Sequence, residues 1–545
     1  MLSKLIENWL DNASERSYQP AFCQMLISRG YTVIHSTRHC PIEYGKDVLA
    51  IASDGIPCAF QLKGNAGSSL THSQYREIRP QLDEMLNQRI EHPSISPDLP
   101  HRSYLVTNGR IEEEVSLAVS QANAKNAQDG YPHRKLQTIA REQLLGWALE
   151  LEDALWPSEL SEFKILLEII TFKGDELFPI DKFHTLLASL FKLSAEDQQT
   201  ISNPEFARRL SSGALLTAVA LKPFSECGNH WAVTVAWVMF AVYASGLADK
   251  YQKRTGLLTP SLKVAEEVIA ASLEALLDEA SKRNGRYWQG NGIADFPVYR
   301  WRYTLIMGIG SLYWLECKRT GCWPSPDFKA ALETMLPTTQ AEMSLWGEAA
   351  IPQFLLHEWY LKAAGLESAN HHVVGLATTV LNKPLFWAYY SAEEIIRHEL
   401  SLTFEAFASK ITQDLEGQTK SSHFAEAMMI HLAQRSLKEA CQALWKRYTH
   451  VTSLAFLPAK RWMYCLSHAE EGDNHMNLPP ETGQWADLVT ASQTDVEVTV
   501  PGALAQRPLL LALWCLIVPQ RAVTSAVCHL YKGLAVPQGV VSDAA

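Results

Sequence analysis

The sequence lacks the short motifs of several large enzyme classes. It has no Gly-x-x-x-x-Gly-Lys-Ser/Thr loop to cradle phosphates, which argues against a motor or switch NTPase. The complete zinc-deaminase signature, His-x-Glu followed by Cys-x-x-Cys, is absent. The Gly-x-Ser-x-Gly turn that presents a nucleophilic serine is absent as well. The chemistry must therefore be sought in other combinations of residues.

Positive charge and paired cysteines are also scarce. The chain has 48 Lys and Arg against 59 Asp and Glu, and residues 1–155 have 15 against 19. Neither part offers a broad basic surface for non-specific nucleic-acid binding, although a local groove with metal ions can bind a phosphate backbone inside an acidic protein.

Ten cysteines are scattered without Cys-x-x-Cys spacing. This pattern predicts free thiols, no zinc site and a reducing, cytoplasmic location.

Long apolar runs are few. Lys4 and Glu7 bring charge early and no apolar core of a secretory signal follows, so we expect no signal peptide. Residues 231–248 carry no charge and approach the length of a transmembrane helix. Thr234 and Ser245 interrupt this run, however, and the basic residues on its two sides show no asymmetry. We interpret it as the central buried helix of a helical domain and expect no membrane partner.

The pattern along the chain changes near residues 153–158. Before this point, strand-like and helix-like segments alternate. After it, apolar residues recur at three- and four-residue spacing, which predicts an almost entirely helical region that includes helices at residues 392–416 and 421–448. The expected domains are residues 1–155, a large α-helical domain at 156–535 with a sub-boundary near 322–326, and a tail at 536–545.

Two short apolar strands near the N-terminus carry the most informative residues. They are predicted at residues 47–52 and 59–63 and are joined by a turn that contains Gly55. Asp47 begins the first strand, and Gln61 and Lys63 lie two apart on the second, so their side chains share a face. Metal-assisted phosphodiester cleavage needs such a set: a carboxylate and a carbonyl oxygen for the ion, and an ammonium for the water and the phosphate charge.

The elements predicted around this hairpin follow a regular order. Their succession is αβββαβαβ, in a mixed sheet. Beside the two strands, the predicted elements are a helix at 17–29, a strand at 30–34, a helix at 73–90, a strand at 103–107, a helix at 111–125 and a strand at 136–141.

These residues and this order resemble the PD-(D/E)xK superfamily of restriction-endonuclease-like nucleases, in particular the Mrr-type group in which Gln replaces the second acid. Asp47 matches the "D", and Gln61-Leu62-Lys63 matches the "QxK". The resemblance covers about residues 1–150 and implies an α/β domain with an αβββαβ core, followed here by an all-α domain. It further implies Mg²⁺, for which Mn²⁺ substitutes, with Lys63 positioning or activating the attacking water.

The resemblance also implies a third acidic residue on the first helix. Glu15 is the candidate, and with Asp47 and Gln61 it would hold the metal. If that helix begins at Ser17, Glu15 lies just outside it and Gln19 takes the inward position. Glu43, ahead of Asp47, is a further alternative. Lys46, beside Asp47, points to the opposite face of the strand, so we expect a phosphate contact or a solvated charge there rather than a catalytic group.

The sequence thus predicts a Mg²⁺-dependent DNA endonuclease. Fusion to a large helical module resembles restriction and anti-phage defence proteins, in which the helical part senses a trigger, binds a partner or restrains the nuclease. A sensor or ATPase would be a separate chain, and cutting both strands would favour a homodimer. The alternatives are a repair or recombination nuclease, an inactive nuclease fold that binds DNA, a scaffold, or simply an ion pair between Asp47 and Lys63.

Overall fold

The chain divides into two compact units, Met1–Ala270 and Ala271–Ala545, in a computed structural model. The predicted architecture is confirmed in its coarse form, because a mixed sheet with helices is followed by a mostly helical region. The structure describes residues 2–36, 46–92, 95–96, 99–155, 160–193, 200–282, 296–337, 350–366, 370–382, 421–422, 424–467, 472–477, 485–493 and 499–535.

A five-stranded mixed sheet organises the first unit. Its strands, with a small separate pair formed by β4 and β6, are β1 (Thr32–Ser36), β2 (Val48–Ile51), β3 (Pro57–Lys63), β4 (Ser69–Leu70), β5 (Arg102–Thr107), β6 (Arg110–Ile111) and β7 (Leu136–Ile139). The strand order is β1-β2-β3-β5-β7. The first three strands are antiparallel, and β3, β5 and β7 are parallel. The mixed sheet therefore has β3, the strand of Gln61 and Lys63, at its centre.

Helices cover both faces of this sheet. The helices of the sheet region are α1 (Leu2–Asn12), α2 (Glu15–Ser28), α3 (His72–Asn87), α4 (Glu113–Gln128) and α5 (Arg141–Leu155). On one face, Ala59 and Leu105 pack in a buried cluster with Leu82 of α3 and Val115 of α4. On the other face, Phe22 of α2 meets the ring of Phe60, with the centroids 5.5 Å apart. Alternate strand residues thus reach opposite layers, as a pleated strand requires.

Six further helices follow the sheet region in the described part of the first 282 residues. They are α6 (Leu160–Ile170), α7 (Ile180–Leu190), α8 (Asn203–Ala220), α9 (Lys222–Glu226), α10 (His230–Lys250) and α11 (Thr255–Lys282). The backbone carbonyl of Gln24 in α2 accepts a hydrogen bond from Ser211 Oγ of α8 at 2.7 Å, and Gln24 Nε2 donates to the carbonyl of Ser261 in α11 at 3.1 Å. The boundary predicted near residue 155 therefore falls inside a compact unit, because α8 and α11 pack on the helix that covers the sheet.

The second unit combines helices with a small sheet. Its described elements are α12 (Phe296–Thr320), α13 (Pro326–Met335), α14 (Ile351–Ala363), α15 (Asn370–Asn382), β8 (Ser421–Ser422), α16 (Ala425–Gln434), α17 (Lys438–Tyr448), β9 (Thr452–Pro458), β10 (Gly472–Asn477), α18 (Trp485–Gln493), α19 (Gly502–Ala505), α20 (Pro508–Ile517) and α21 (Thr524–Leu530). Three strands pair in the order β10-β9-β8, so this region is not all-α as predicted.

Some predicted helices differ from the structure or lie outside its described part. The helix predicted at residues 421–448 is divided into α16 and α17, and Ser436 between them has a φ of 60°, outside the helical range. Residues 322–326 connect α12 and α13 within the second unit. The helix predicted at 392–416 and the tail at 536–545 lie outside the described residues.

One described helix has the length and apolar composition to cross a membrane. This helix is α10, and 89% of its apolar window is buried inside the protein. Its burial is compatible with a soluble protein and with the predicted role as a core helix. Asn229 caps its start by accepting a hydrogen bond from the backbone N–H of Ala232 at 3.1 Å.

Candidate active site

The hairpin of β2 and β3 places Asp47 against Gln61. Asp47 immediately precedes β2, and its backbone N–H donates to the carbonyl of Phe60 at 2.9 Å. Gln61 Nε2 donates to Asp47 Oδ2 at 2.5 Å, and the backbone N–H of Leu62 donates to the same oxygen at 2.6 Å. The carboxylate is therefore held by two donors from the neighbouring strand.

Lys63 and Glu15 meet at the end of β3. Lys63 Nζ lies 3.9 Å from Glu15 Oε2, and the two side chains are 21% and 26% exposed. They are accessible to solvent, unlike Gln61, which is 2% exposed. The structure thus brings all four candidate residues to the region where β2 begins, β3 ends and α2 begins.

The start of α2 explains how Glu15 reaches this region. Ser14 caps the helix, because its Oγ accepts a hydrogen bond from the backbone N–H of Ser17 at 3.3 Å. The prediction of a helix start at Ser17 was therefore wrong by two residues, since the serine cap sets the start and Pro20 is accommodated inside the helix. Glu15 is the first helical residue. Gln19 lies one turn later and half-buried, and Glu43 lies outside the described residues.

Tyr18 links α2 to the two central strands. Its buried hydroxyl donates to the carbonyl of Lys63 at 3.1 Å and lies 3.5 Å from the carbonyl of Val106. Burial raises the pKa of Tyr18 well above its usual range, and the charges of Glu15 and Asp47 raise it further. Both carboxylates therefore act on one hydroxyl group. No motif in the sequence marks Tyr18, although its position three residues after Glu15 places it on the same side of a helix.

Gly64 lets the start of α2 approach the end of β3. A Cβ atom at this position would lie 2.9 Å from the backbone nitrogen of Glu15 and 3.3 Å from its Cβ. Real Cβ atoms do not approach backbone atoms so closely, so a larger residue would push the helix start and the strand apart. The glycine after Lys63 is thus a condition for the contact between Lys63 and Glu15.

Lys46 occupies a different environment from the one predicted. A solvated charge or a phosphate contact was expected there, but the side chain is only 4% exposed. Burial lowers the pKa of Lys46 to about 8, against the opposing effects of Glu84 and Glu91. The prediction of a solvated charge was wrong, because the side chain packs into the protein beside the hairpin.

The donor atoms at this site suit a hard divalent cation. Glu15 and Asp47 supply carboxylate oxygens, and Gln61 Oε1 is a buried carbonyl oxygen with no hydrogen-bond partner in the described part of the chain. Mg²⁺ prefers such oxygen ligands and is commonly bound by one or two carboxylates. No group of three or more His, Cys, Asp or Glu that could hold a metal occurs among the described residues.

Comparison of the chain with protein-family models, with curated proteins and with solved structures gives no match. The functional interpretation therefore depends on the chemistry of the four residues at this site and on the residues that hold them.

Proposed function

We propose that the N-terminal sheet and its helices form a restriction-endonuclease-like domain that hydrolyses phosphodiester bonds of DNA with Mg²⁺. Two contacts at neighbouring positions of β3 support this proposal: Gln61 Nε2 donates to Asp47 Oδ2 at 2.5 Å, and Lys63 Nζ lies 3.9 Å from Glu15 Oε2. An isolated strand-edge ion pair would need only Asp47 and Lys63. In the structure Lys63 lies against Glu15 instead, while Asp47 binds Gln61.

Three side chains would hold the ion: Asp47, Glu15 and Gln61 through its Oε1 atom. When bound, Mg²⁺ supplies Lewis-acid stabilisation of the phosphate oxygens and lowers the pKa of a bound water. Gln61 Nε2 and the Leu62 N–H keep the Asp47 carboxylate oriented before any substrate arrives. Such preorganisation favours the reaction because no groups must be reoriented as charge develops.

Lys63 provides the positive charge at the site. Its partly exposed ammonium group lies beside Glu15 and can reach a phosphate or a water held there. In the proposed reaction, Lys63 orients the attacking water and offsets charge on the phosphate during in-line attack, without a covalent enzyme intermediate. Local contacts of this kind are needed, because the whole chain has a net charge of −11 and offers no broad basic surface.

The biological setting is proposed from the resemblance. The helical remainder of the chain would sense a trigger, bind a partner protein or restrain the nuclease in restriction or anti-phage defence in the cytoplasm. A homodimer would cut both strands. The genes that neighbour the gene of this protein give a direct check. Neighbouring defence genes would favour a role in defence over one in repair or recombination.

The first experiment is a cleavage assay on supercoiled plasmid. Wild type, Asp47→Ala and Lys63→Ala are compared with Mg²⁺, with Mn²⁺ and with EDTA. We expect metal-dependent nicking or linearisation that falls by at least about a hundredfold in both variants, because each removes charge from the reacting groups. Asp54→Asn is the matched control: this residue lies at the other end of the same hairpin, where it pairs with Arg102 at 2.6 Å, and we expect wild-type cleavage.

The assay also separates the alternatives. Cleavage that persists equally in Asp47→Ala would contradict the proposed site. If wild type is silent, phage DNA and the products of neighbouring genes are added to the same assay to test for a trigger. A DNA-dependent function that survives Asp47→Ala would favour a binding module or a scaffold instead.

A further inference from the structure

A buried polar network lies behind the proposed site. It is formed by Asn65, Thr107 and Asn108, which are 6%, 0% and 0% exposed. Thr107 Oγ1 donates to Asn65 Oδ1 at 3.0 Å, and the backbone N–H of Gly109 donates to Thr107 Oγ1 at 3.0 Å. The network joins the residues that follow β3 to those that end β5. Nothing in the proposed chemistry uses these side chains directly.

Asn108 connects the two sides of the proposed site. Its Nδ2 group donates to the carbonyls of Leu10 and Ala13, each at 2.8 Å. Its Oδ1 atom accepts from the backbone N–H of Asn65 at 2.8 Å. Ala13 lies two residues before Glu15, and Asn65 lies two residues after Lys63. One buried amide therefore joins the chain that leads to Glu15 with the chain that leaves Lys63.

Tyr18 makes a second connection from the opposite direction. Its hydroxyl donates to the carbonyl of Lys63, so the first turn of α2 is bound to the end of β3 on both sides of Glu15. The absence of a side chain at Gly64 allows this approach, since a Cβ would meet the backbone of Glu15. Residues 13–18 are thus attached at two points, with the carboxylate of Glu15 between them.

We propose that Asn108 and Tyr18 are positioning residues that hold Glu15 against Lys63 and so set the affinity of the site for a divalent cation. This inference rests on the proposed function. The physical reason is that ligand groups bind a metal tightly when outer residues fix their geometry, and loss of such residues typically weakens binding about 10- to 100-fold. Neither residue needs to touch the metal or the substrate.

The test measures Mn²⁺ binding to the full-length protein without DNA, by electron paramagnetic resonance of free Mn²⁺. We expect Asn108→Ala and Tyr18→Phe to weaken binding about 10- to 100-fold. Asn123→Ala is the matched control for the amide, because Asn123 likewise donates to a backbone carbonyl and accepts from a backbone N–H, both of Leu136 at 2.9 Å, away from the site. Tyr75→Phe, at a buried position on α3, is the control for the hydroxyl. Both controls should bind as wild type does.

A double-mutant cycle distinguishes positioning from general loss of stability. If Asn108 acts through Glu15, Asn108→Ala should weaken binding little further in a Glu15→Gln background, because coupled residues are not additive. Amide exchange at residues 13–18 should also become faster in Asn108→Ala, while exchange in β3 and β5 stays slow. Independent, additive losses of affinity would overturn the positioning role, as would unchanged exchange at residues 13–18.

Failure of the inference and failure of the proposed function give different results. If Asp47→Ala loses Mn²⁺ binding while Asn108→Ala and Tyr18→Phe both bind Mn²⁺ as tightly as wild type, only the positioning role is overturned. Equal Mn²⁺ binding by wild type and Asp47→Ala overturns the proposed site, and the positioning role with it.

Discussion

At the scale of single residues, Gln61 is the most unusual member of the site. It stands where the PD-(D/E)xK motif that this hairpin resembles has its second acid. It is 2% exposed, and its amide nitrogen lies 2.5 Å from Asp47 Oδ2. Two carboxylates at this separation in a buried site cannot both ionise, so one of them would have a strongly raised pKa. The amide keeps a carbonyl oxygen in the site and gives Asp47 a donor in place of a repelling charge.

Gln61→Glu should therefore make folding dependent on metal and on pH. The folded-state pKa of the new carboxyl group would lie above its unfolded value, so at neutral pH the variant should lose on the order of 1–3 kcal/mol of unfolding free energy. The loss should shrink on acidification, as one proton is shared, and on addition of Mg²⁺. Urea unfolding of wild type and variant, with and without Mg²⁺ and at neutral and acidic pH, measures the difference in unfolding free energy. Equal stability at neutral pH without metal would contradict the expectation.

The residues at and around the site differ in how clearly the sequence marks them. Asp47, Gln61 and Lys63 are recognisable in the sequence because they lie on one short hairpin, where local spacing determines which side chains share a face. Glu15 was proposed from the resemblance, and its contact with Lys63 depends on a serine cap and on Gly64. No motif marks Tyr18 or Asn108, although Tyr18 lies three residues after Glu15. The side chains of both residues bind backbone groups far away in the chain.

At the scale of elements, α14 is a helix that is buried along most of its length. Its residues from Ile351 to Leu361 are all buried, including His357 and Glu358. Burial lowers the pKa of His357 to about 4, with Glu358 acting in the opposite direction. His357 Nδ1 lies 3.1 Å from Ser311 Oγ of α12, and Glu358 pairs with Arg435, the residue that follows α16. The helix thus carries a histidine that stays neutral in a folded core.

This buried histidine should make the protein sensitive to acid. Between about pH 6.5 and about pH 4 the unfolded chain binds a proton on His357 that the folded chain does not, so stability falls as pH falls, by on the order of 3 kcal/mol in total. Above that range both states are neutral and the group has no effect.

His357→Gln should remove this part of the pH dependence. Urea unfolding at neutral pH and at about pH 5 measures the change of unfolding free energy with pH. His450→Gln is the matched control, because His450 is exposed. An unchanged slope of stability against pH in His357→Gln would contradict the assignment.

Most elements could be predicted from the sequence, and the errors have physical causes. The predicted strand at residues 59–63 corresponds to β3, and the buried helix predicted at 231–248 corresponds to α10, because both segments are strongly apolar. The region at 421–448 was predicted as one helix, since its periodicity continues through the break at Ser436. The three-stranded sheet of the second unit was missed, because β8 is two residues long and β10 is polar.

At the scale of the whole molecule, the first unit extends well beyond the sheet. The helix that carries Glu15 is covered by α8, and Lys222 Nζ contacts Asn8 Oδ1 of α1 at 3.0 Å. Phe22 and Leu26 of α2 are both nearly inaccessible to solvent. The helices after residue 155 are therefore part of the structure that supports the site.

A fragment of residues 1–155 should not fold stably, whereas a fragment of residues 1–282, which keeps α11 complete, should. Removing α8 and α11 exposes apolar surface of α2, and each large apolar side chain that loses its burial costs about 1.5–3 kcal/mol. Circular dichroism melting curves and amide exchange in α2 compare the two fragments. A cooperative transition of the shorter fragment at the same temperature as the longer one would contradict this expectation.

The sequence by itself determined the hairpin that carries Asp47, Gln61 and Lys63, since alternation along a strand and a short turn are local properties of the chain. It also determined that a helical region follows, through the periodicity of its apolar residues. Only the tertiary structure decided which acid meets Lys63, how Asn108 and Tyr18 hold it, and that the supporting unit continues to Ala270. These features depend on contacts between residues far apart in the chain, which no local pattern encodes.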